Sequence, residues 1–372
     1  MTRHPYQQCR RCVMDTSDAF ITFDENGYCN HCTDYFQNTS HRTYRGEESN
    51  KQFLALVHEI KSTSQNAQYD CVLGISGGVD SCYAAYVCKE AGLRVLSVHM
   101  DNGWNSDISV KNIRNIVEKL GFDYESFVLD WESFRDLQLS FLKASVPELE
   151  TPTDIAILGA MHQVAARYGV KYIISGGNFA TEGILPKSWH YDAKDLRYIK
   201  SIQRKYGKSK RIRIPLFGFL QELYYKYFKR IRIIYLLNLV DYDKEKAMKL
   251  LIDQLGWQYY GGKHYESIYT RFVQSYILPN KFNIDYRRAT LSTQICNGKI
   301  SREQALNELS KPIYDSERAS ADKAYICKKL DISEDDLNKI MSAPPLSHQD
   351  YPNNQRFLEF LYKTYRKLKK IS

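Results

Sequence analysis

A short apolar run that breaks into two adjacent glycines and at once resumes with helical character leaves a chain few ways to fold. Tyr69-Asp70-Cys71-Val72-Leu73-Gly74-Ile75 reads as a buried strand, Ser76-Gly77-Gly78-Val79-Asp80-Ser81 follows as a turn, and Cys82 to Ala91 continues as a helix. A strand handed directly to a helix is the opening unit of a parallel sheet, because parallel neighbours need a crossover. The pattern repeats. Arg94 to Met100 reads as a second strand, Ser126 to Leu129 as a third, Lys171 to Ser175 as a fourth and Arg213 to Phe217 as a weaker fifth, weaker because Pro215 cannot donate to a ladder. Between them Ile113, Ile116, Val117 and Leu120 recur at helical spacing, as do Ile155, Leu158, His162 and Ala165.

The turn itself has a chemistry. Two glycines let the backbone approach a ligand closely, a helix start offers unspent N–H groups and a positive dipole end, and Ser76 and Ser81 add hydroxyls. No Gly-Lys-Ser/Thr follows, which excludes a Walker loop, and the glycine spacing is not the dinucleotide fingerprint. A second glycine turn, Ser175-Gly176-Gly177-Asn178, ends the fourth strand. Ligands of open α/β sheets bind at the carboxyl ends of the strands, so both turns face one cleft. Taken alone, the second turn is equally well an ordinary helix–strand connection.

Two further segments flank this unit. Cys9-x-x-Cys12 and Cys29-x-x-Cys32 stand sixteen residues apart, the spacing of a four-thiolate zinc ribbon with a hairpin turning at Asn26-Gly27. A full thiolate set leaves no open position, so the ion is structural; an iron–sulfur or redox role is the alternative. Beyond about Glu222 the sequence becomes helical and basic, with helix-start signals at Ser301, three residues before Gln304, and at Ser333, three before Asp336. The expected organisation is a zinc-ribbon segment at 1–45, an α/β domain at 46–221 and an α-helical substrate or partner domain at 222–372.

Nine cysteines, an odd number, argue for reduced thiols rather than a secreted disulfide framework. Cys82 and Cys88 read as small buried hydrophobes. No apolar run approaches spanning length and the first residues lack signal-peptide order, so a cytoplasmic protein is expected. A net charge of +9 suits a polyanionic partner without choosing among nucleotide, nucleic acid and lipid. The basic runs at 226–232 and 363–370 read as solvated helix faces.

The hexapeptide Ser76 to Ser81 resembles the signature of the PP-loop superfamily of ATP pyrophosphatases. That resemblance implies a Rossmann-like α/β fold of the adenine nucleotide alpha hydrolase kind, with Ser76, Gly77, Gly78 and Ser81 on the ATP phosphates and Asp80 near Mg2+. It places adenine near His99 and Met100, with Gly176 and Gly177 completing the nucleotide site. Over nearly the whole chain, Cys-x-x-Cys-Val-Met, Asp101-Asn102-Gly103-Trp104, Gly177-Asn178-x-x-Thr181-Glu182, Gly261-Gly262-Lys263-His264-Tyr265-Glu266-Ser267 and Asp285-x-Arg287-Arg288 are similar to the N-acetyl sugar amidotransferases of bacterial surface-polysaccharide and nonulosonic-acid biosynthesis. Such enzymes convert an N-acetyl group into an acetamidino group by adenylating the amide oxygen. By resemblance their ammonia comes from a separate glutaminase working with a cyclase-like barrel protein. No glutaminase arrangement of Cys, His and Glu is recognisable in this chain, in keeping with a separate ammonia source.

Within that reading Asp80, Glu182, Lys263 and Glu266 are the catalytic candidates, either glutamate serving the cationic product. Asn178, Lys263, His264, Arg287 and Arg288 are the substrate-binding candidates, with Lys263, Arg287 and Arg288 for substrate phosphates or carboxylate. The rival enzyme is a PP-loop tRNA thiolase, which would need reactive sulfur where Asn178 and Thr181 stand. A zinc-ribbon nucleic-acid-binding module with an inactive nucleotide fold is a third reading, against which the intact phosphate turn weighs; nucleic acid is not the expected partner.

Overall fold

In the computed structural model, which describes residues 5–44, 46–262 and 265–371, the chain builds one five-stranded parallel sheet. The strands are β1 (Cys71–Gly74), β2 (Val95–Asp101), β3 (Asp123–Val128), β4 (Tyr172–Ser175) and β5 (Arg232–Tyr235), in the spatial order β3-β2-β1-β4-β5. Val72 pairs with Leu96 on one side and with Ile173 on the other, so the strand order reverses between β1 and β4. This is the doubly wound arrangement, and the reversal opens a crevice above the carboxyl ends of those two strands.

Alternation along β1 divides the core. Cys71 and Leu73 pack with Val79, Cys82, Ala85, Ile113 and Ile116 from the helices Val79–Glu90 and Asp107–Leu120. Val72 faces the other way, onto Met161, Val164 and Ala165 of the helix Thr151–Arg167. Cys82 and Cys88 are fully buried here, the small apolar role expected of them. A third cluster joins Cys9, Cys29 and Tyr35 near the N-terminus to Trp104, Tyr269 and Leu337, and so links the first residues, the sheet layer and the C-terminal helices.

Two strand expectations need correction. β3 begins at Asp123, earlier than Ser126, because this edge strand is exposed and its first residues are polar. The fifth strand is Arg232–Tyr235, paired with β4 from Tyr172↔Arg232 to Ser175↔Tyr235, and not Arg213 to Phe217. Pro215 instead lies across the helix Thr151–Arg167, so close that a Cβ on Gly159 would stand 2.7 Å from the Pro215 ring and carbonyl. The basic run at 226–232 is therefore partly an approach to a strand, and the sheet extends past residue 221. Both C-terminal capping boxes are present: Ser301 with Gln304, and Ser333 with Asp336. Among the described residues no helix is long and apolar enough to cross a membrane.

The four N-terminal cysteines converge. Their sulfurs all lie within 4.8 Å of one another, with Cys9 and Cys32 at 3.8 Å and Cys12 and Cys29 at 3.5 Å. Zn–S bonds of about 2.3 Å in a tetrahedron separate sulfurs by about 3.8 Å, so this donor set fits zinc. Gly27, at φ +76°, makes the turn between the knuckles. The Arg302 guanidinium donates to the carbonyls of Cys9 and Cys12, and Arg288 pairs with buried Asp15 at 2.9 Å and donates to the Val13 carbonyl. Purified protein should carry about one zinc per chain. In elemental analysis the double variant Cys9→Ser, Cys29→Ser should lose it and melt at lower temperature; unchanged zinc content would remove the site.

Candidate functional site

The phosphate turn is fixed by its own hydroxyls. Ser81 Oγ accepts from the Ser76 N–H at 3.1 Å and donates to the Gly78 carbonyl at 3.1 Å, while Ser76 Oγ accepts from the Gly78 N–H at 3.3 Å. Gly77 sits at φ +81°, and a Cβ there would fall 2.5 Å from the Ser109 carbonyl, so only glycine fits. Its carbonyl accepts from the buried indole of Trp257 at 2.9 Å. Gly78 is the N-cap of the helix Val79–Glu90 and contributes no side-chain hydrogen bond. The first turn thus presents N–H groups and a dipole end to the cleft, a ready site for phosphate charge. Asp80 in that turn accepts a hydrogen bond from the Tyr242 hydroxyl, and burial pushes that phenol's pKa upward, which keeps it a donor.

At the end of β2, His99 and Met100 line the same cleft. The His99 ring contacts the Ile75 carbonyl through Nδ1 at 2.9 Å and the Asn105 amide through Nε2 at 2.9 Å. Burial pulls its pKa down. A carbonyl only accepts and an amide NH2 only donates, so the neutral ring carries its proton on Nδ1.

The second glycine turn meets the first. A Cβ on Gly176 would stand 2.7 Å from the Ser81 nitrogen and 2.8 Å from the Asp80 carbonyl carbon. Gly177 faces the Tyr235 ring. Asn178 is buried and spent on structure: its oxygen caps Thr181, its amide reaches the Gly176 carbonyl, and it does not line the cleft. Glu182, four residues on, does line it at the exposed rim.

The C-terminal part closes the site from above. Ser106 donates to the Glu266 carbonyl at 2.9 Å, Ile268 donates to the Trp104 carbonyl at 2.8 Å, and Asn105 and Ser267 form an antiparallel bridge. Those bonds hold the Glu266 carboxylate over the phosphate turn, with Oε1 only 3.0 Å from where a Cβ of Gly78 would be. Lys263 and His264 lie outside the described residues. Arg287 and Arg288 are not brought to the cleft. Arg287 pairs with Asp285 at 2.8 Å and donates to the carbonyls of Glu308, Leu309 and Lys311, which end a neighbouring helix. Arg288 is committed to Asp15 and Val13, and both guanidiniums are consumed by packing.

The cleft, about 530 Å³, has a second group that the sequence reading did not single out. Glu150 and Asp154 open the helix Thr151–Arg167 and line its wall with Thr270, Gln274 and Tyr286. Their signal was two acids at i and i+4 leading into an otherwise apolar helix. Burial, and secondarily the nearby Asp154 carboxylate, push the Glu150 carboxyl up to about 8. None of the nine cysteines lines the cleft, and burial raises the pKa of the nearby Cys82 thiol, away from thiolate.

Because the Glu150 carboxyl titrates higher in the folded chain than its ordinary 4.5, the folded state holds the extra proton between those values. Its contribution is complete below the unfolded value and is lost as pH rises through the folded one. Glu150→Gln, which cannot ionise, should therefore gain stability over the native chain as pH climbs from 5 to 8, on the order of 3 kcal/mol at the top. Thermal melts across that range check it; a constant difference between the two proteins contradicts a raised Glu150.

Comparison with known proteins matches two segments of the chain. Residues 52–139 match the NAD synthase family, and residues 266–369 match the family described as LPS biosynthesis protein WbpG-like, C-terminal domain. The tRNA-specific 2-thiouridylase MnmA of Proteus mirabilis is 28% identical over 128 residues, 30% of this chain and 35% of that protein. The enzyme of the same name from Helicobacter hepaticus is 28% identical over 159 residues, 40% and 42% of the two chains. The chain thus spans well under half the length of these curated relatives. Of solved structures, an NH3-dependent NAD synthetase of Campylobacter jejuni is 18% identical with a TM-score of 0.28, covering 42% of this chain and 72% of that one. An NMN synthetase of Francisella tularensis is 13% identical with a TM-score of 0.31, covering 58% and 88%. The phosphate turn at the β1–β4 reversal thus lies in the segment that matches NAD synthase, and Glu266 opens the segment that matches the WbpG-like C-terminal domain of lipopolysaccharide biosynthesis.

Proposed function

We propose that the protein is an ATP-dependent, AMP-forming amidotransferase that converts the N-acetyl group of a sugar, nucleotide-linked, into an acetamidino group. The observation that carries this reading is that Glu266, within the WbpG-like segment, reaches onto the phosphate turn of the ATP-binding segment. An amide carbon is a poor electrophile. Transfer of AMP to its oxygen makes that oxygen a leaving group, which an amine then displaces.

The chain's groups divide the work by position. The N–H groups of the phosphate turn and the hydroxyls of Ser76 and Ser81 bind the triphosphate; Asp80 would hold a magnesium ion that offsets its charge. His99, neutral and fixed through Nδ1, leaves an uncharged wall beside Met100 for the adenine. Glu266 over the turn and Glu182 at the rim face the reacting amide, where a carboxylate stabilises the positive charge of the amidine product. Positioning and fixed charge do the catalysis, with no protein nucleophile. The ammonia comes from a separate glutaminase acting with a cyclase-like barrel protein. The tRNA thiolase alternative draws on the 2-thiouridylase similarity, but a cleft without cysteine weighs against it.

AMP and pyrophosphate should form only when ATP, an N-acetyl sugar nucleotide and ammonium are all supplied, with a product about one mass unit lighter than the sugar substrate. Asp80→Asn and Glu266→Gln should each lower that rate about 100-fold or more while melting as the native protein does. AMP release stimulated by tRNA and not by sugar would replace this reading with the thiolase.

A further inference from the structure

Glu150 and Asp154 line the same cleft but have no part in the steps above. Glu150 Oε2 accepts a hydrogen bond from Thr270 Oγ1 at 3.1 Å. Its Oε1 is sealed from solvent and has no hydrogen-bond partner, although the carboxyl lines the cleft. A buried carboxyl oxygen left unmet costs about 1 to 3 kcal/mol, which a hydrogen-bonding ligand in the cleft relieves. The charge sign narrows the ligand. The Glu150 carboxyl, one helical turn from Asp154, keeps its proton while the site is empty and ionises only against a cation, so the pair disfavours phosphate and carboxylate and favours a small cation with hydrogens to give.

We infer that Glu150 and Asp154 form the ammonium site of this cleft, holding the nitrogen nucleophile and taking its protons. The inference rests on the amidotransferase reading, whose only small cationic donor is ammonium. One N–H bond of ammonium breaks as an O–H bond forms on one carboxylate. The freed nitrogen lone pair forms the C–N bond to the adenylated amide carbon. A second N–H proton passes to the other carboxylate, and the C–O bond to AMP breaks with its electron pair leaving on the phosphate. The amidinium keeps the remaining positive charge, and both carboxyls return their protons to water.

The surroundings suit that role. The groups facing Glu150 are Asp154 on its own helix, Tyr269 and Thr270 on the helix Ile268–Phe272, and Tyr286 on the helix Tyr286–Cys296. Burial raises the pKa of both phenols, so they stay neutral hydrogen-bonding walls. The raised Glu150 carboxyl is a stronger base toward ammonium than a solvated carboxylate would be.

The test uses the full chain and reads the two halves of the reaction separately, with ATP and a UDP-linked N-acetyl sugar. ATP–pyrophosphate exchange without ammonium reports adenylation; ammonium-dependent AMP release reports the displacement. For Glu150→Gln and Asp154→Asn, AMP release at pH 7 should fall about 100-fold or more, the ammonium KM should rise, and exchange should fall far less. At pH 9, where free ammonia is abundant, the variants should recover at least about tenfold relative to the native enzyme. Independently of any sugar, ammonium chloride should raise the native melting temperature at pH 7 above the value in equimolar sodium chloride, and should not do so for Glu150→Gln. Native ammonium dependence in both variants, or an ammonium effect on melting that is absent or survives Glu150→Gln, overturns the site. Absence of exchange in the native enzyme would instead overturn the amidotransferase reading, and the melting comparison would still decide the ammonium site.

Discussion

Gly176 rests its backbone against the nitrogen of Ser81, and the architecture of the cleft follows from that contact. A methyl group on Gly176 would meet Ser81 and Asp80 at under 3 Å, so any side chain there pushes the β4 turn off the start of the helix that follows β1. The two turns can touch because β1 and β4 are hydrogen-bonded neighbours at the point where strand order reverses. One edge of the crevice is then a helix start with unspent N–H groups, and the other is a glycine turn that leads to Glu182. Packing therefore determines where phosphate charge can be met, before any side chain acts.

The C-terminal part does not merely sit beside this crevice. Trp257 bonds the Gly77 carbonyl, Tyr260 accepts from the Val79 N–H, and the strand-like stitch of Asn105 to Ser267 brings Glu266 across the turn. The same part of the chain supplies Thr270 and Tyr286 opposite Glu150. The N-terminal knuckles in turn are clamped by Arg288 and Arg302, so the zinc-type site braces the helices that carry the cleft's upper wall. Glu266, Thr270 and Tyr286 fall in the segment that matches the WbpG-like domain and the phosphate turn in the segment that matches NAD synthase, so neither matched segment describes the site alone.

What the sequence made legible was what is local. The phosphate turn, the cysteine knuckles, the Asn26-Gly27 turn and both capping boxes are each encoded within a few residues, and each stands where that local pattern requires. Tertiary context decided the rest. Pro215 lies in an apolar run that reads as a strand, yet Gly159 leaves a gap on the neighbouring helix that accepts it, while the plainer Arg232–Tyr235 completes the sheet. Arg287 and Arg288 look like anion ligands because guanidinium is, but their partners Asp285, Asp15 and three helix-end carbonyls are a packing fact that spacing cannot express. Glu150 was silent for the converse reason: an acid before a helix start is common, and only burial against Tyr269 and Tyr286 makes it unusual.

If the phosphate turn delivers AMP to an amide oxygen, as proposed, that oxygen can be followed. With an N-acetyl sugar nucleotide labelled with oxygen-18 in the acetyl carbonyl, together with ATP and ammonium, mass spectrometry of the released AMP should find the label in its phosphate, one atom per acetamidino product. Unlabelled AMP, with the oxygen-18 recovered in pyrophosphate, in water or still in the sugar, would rule out AMP transfer to the amide oxygen.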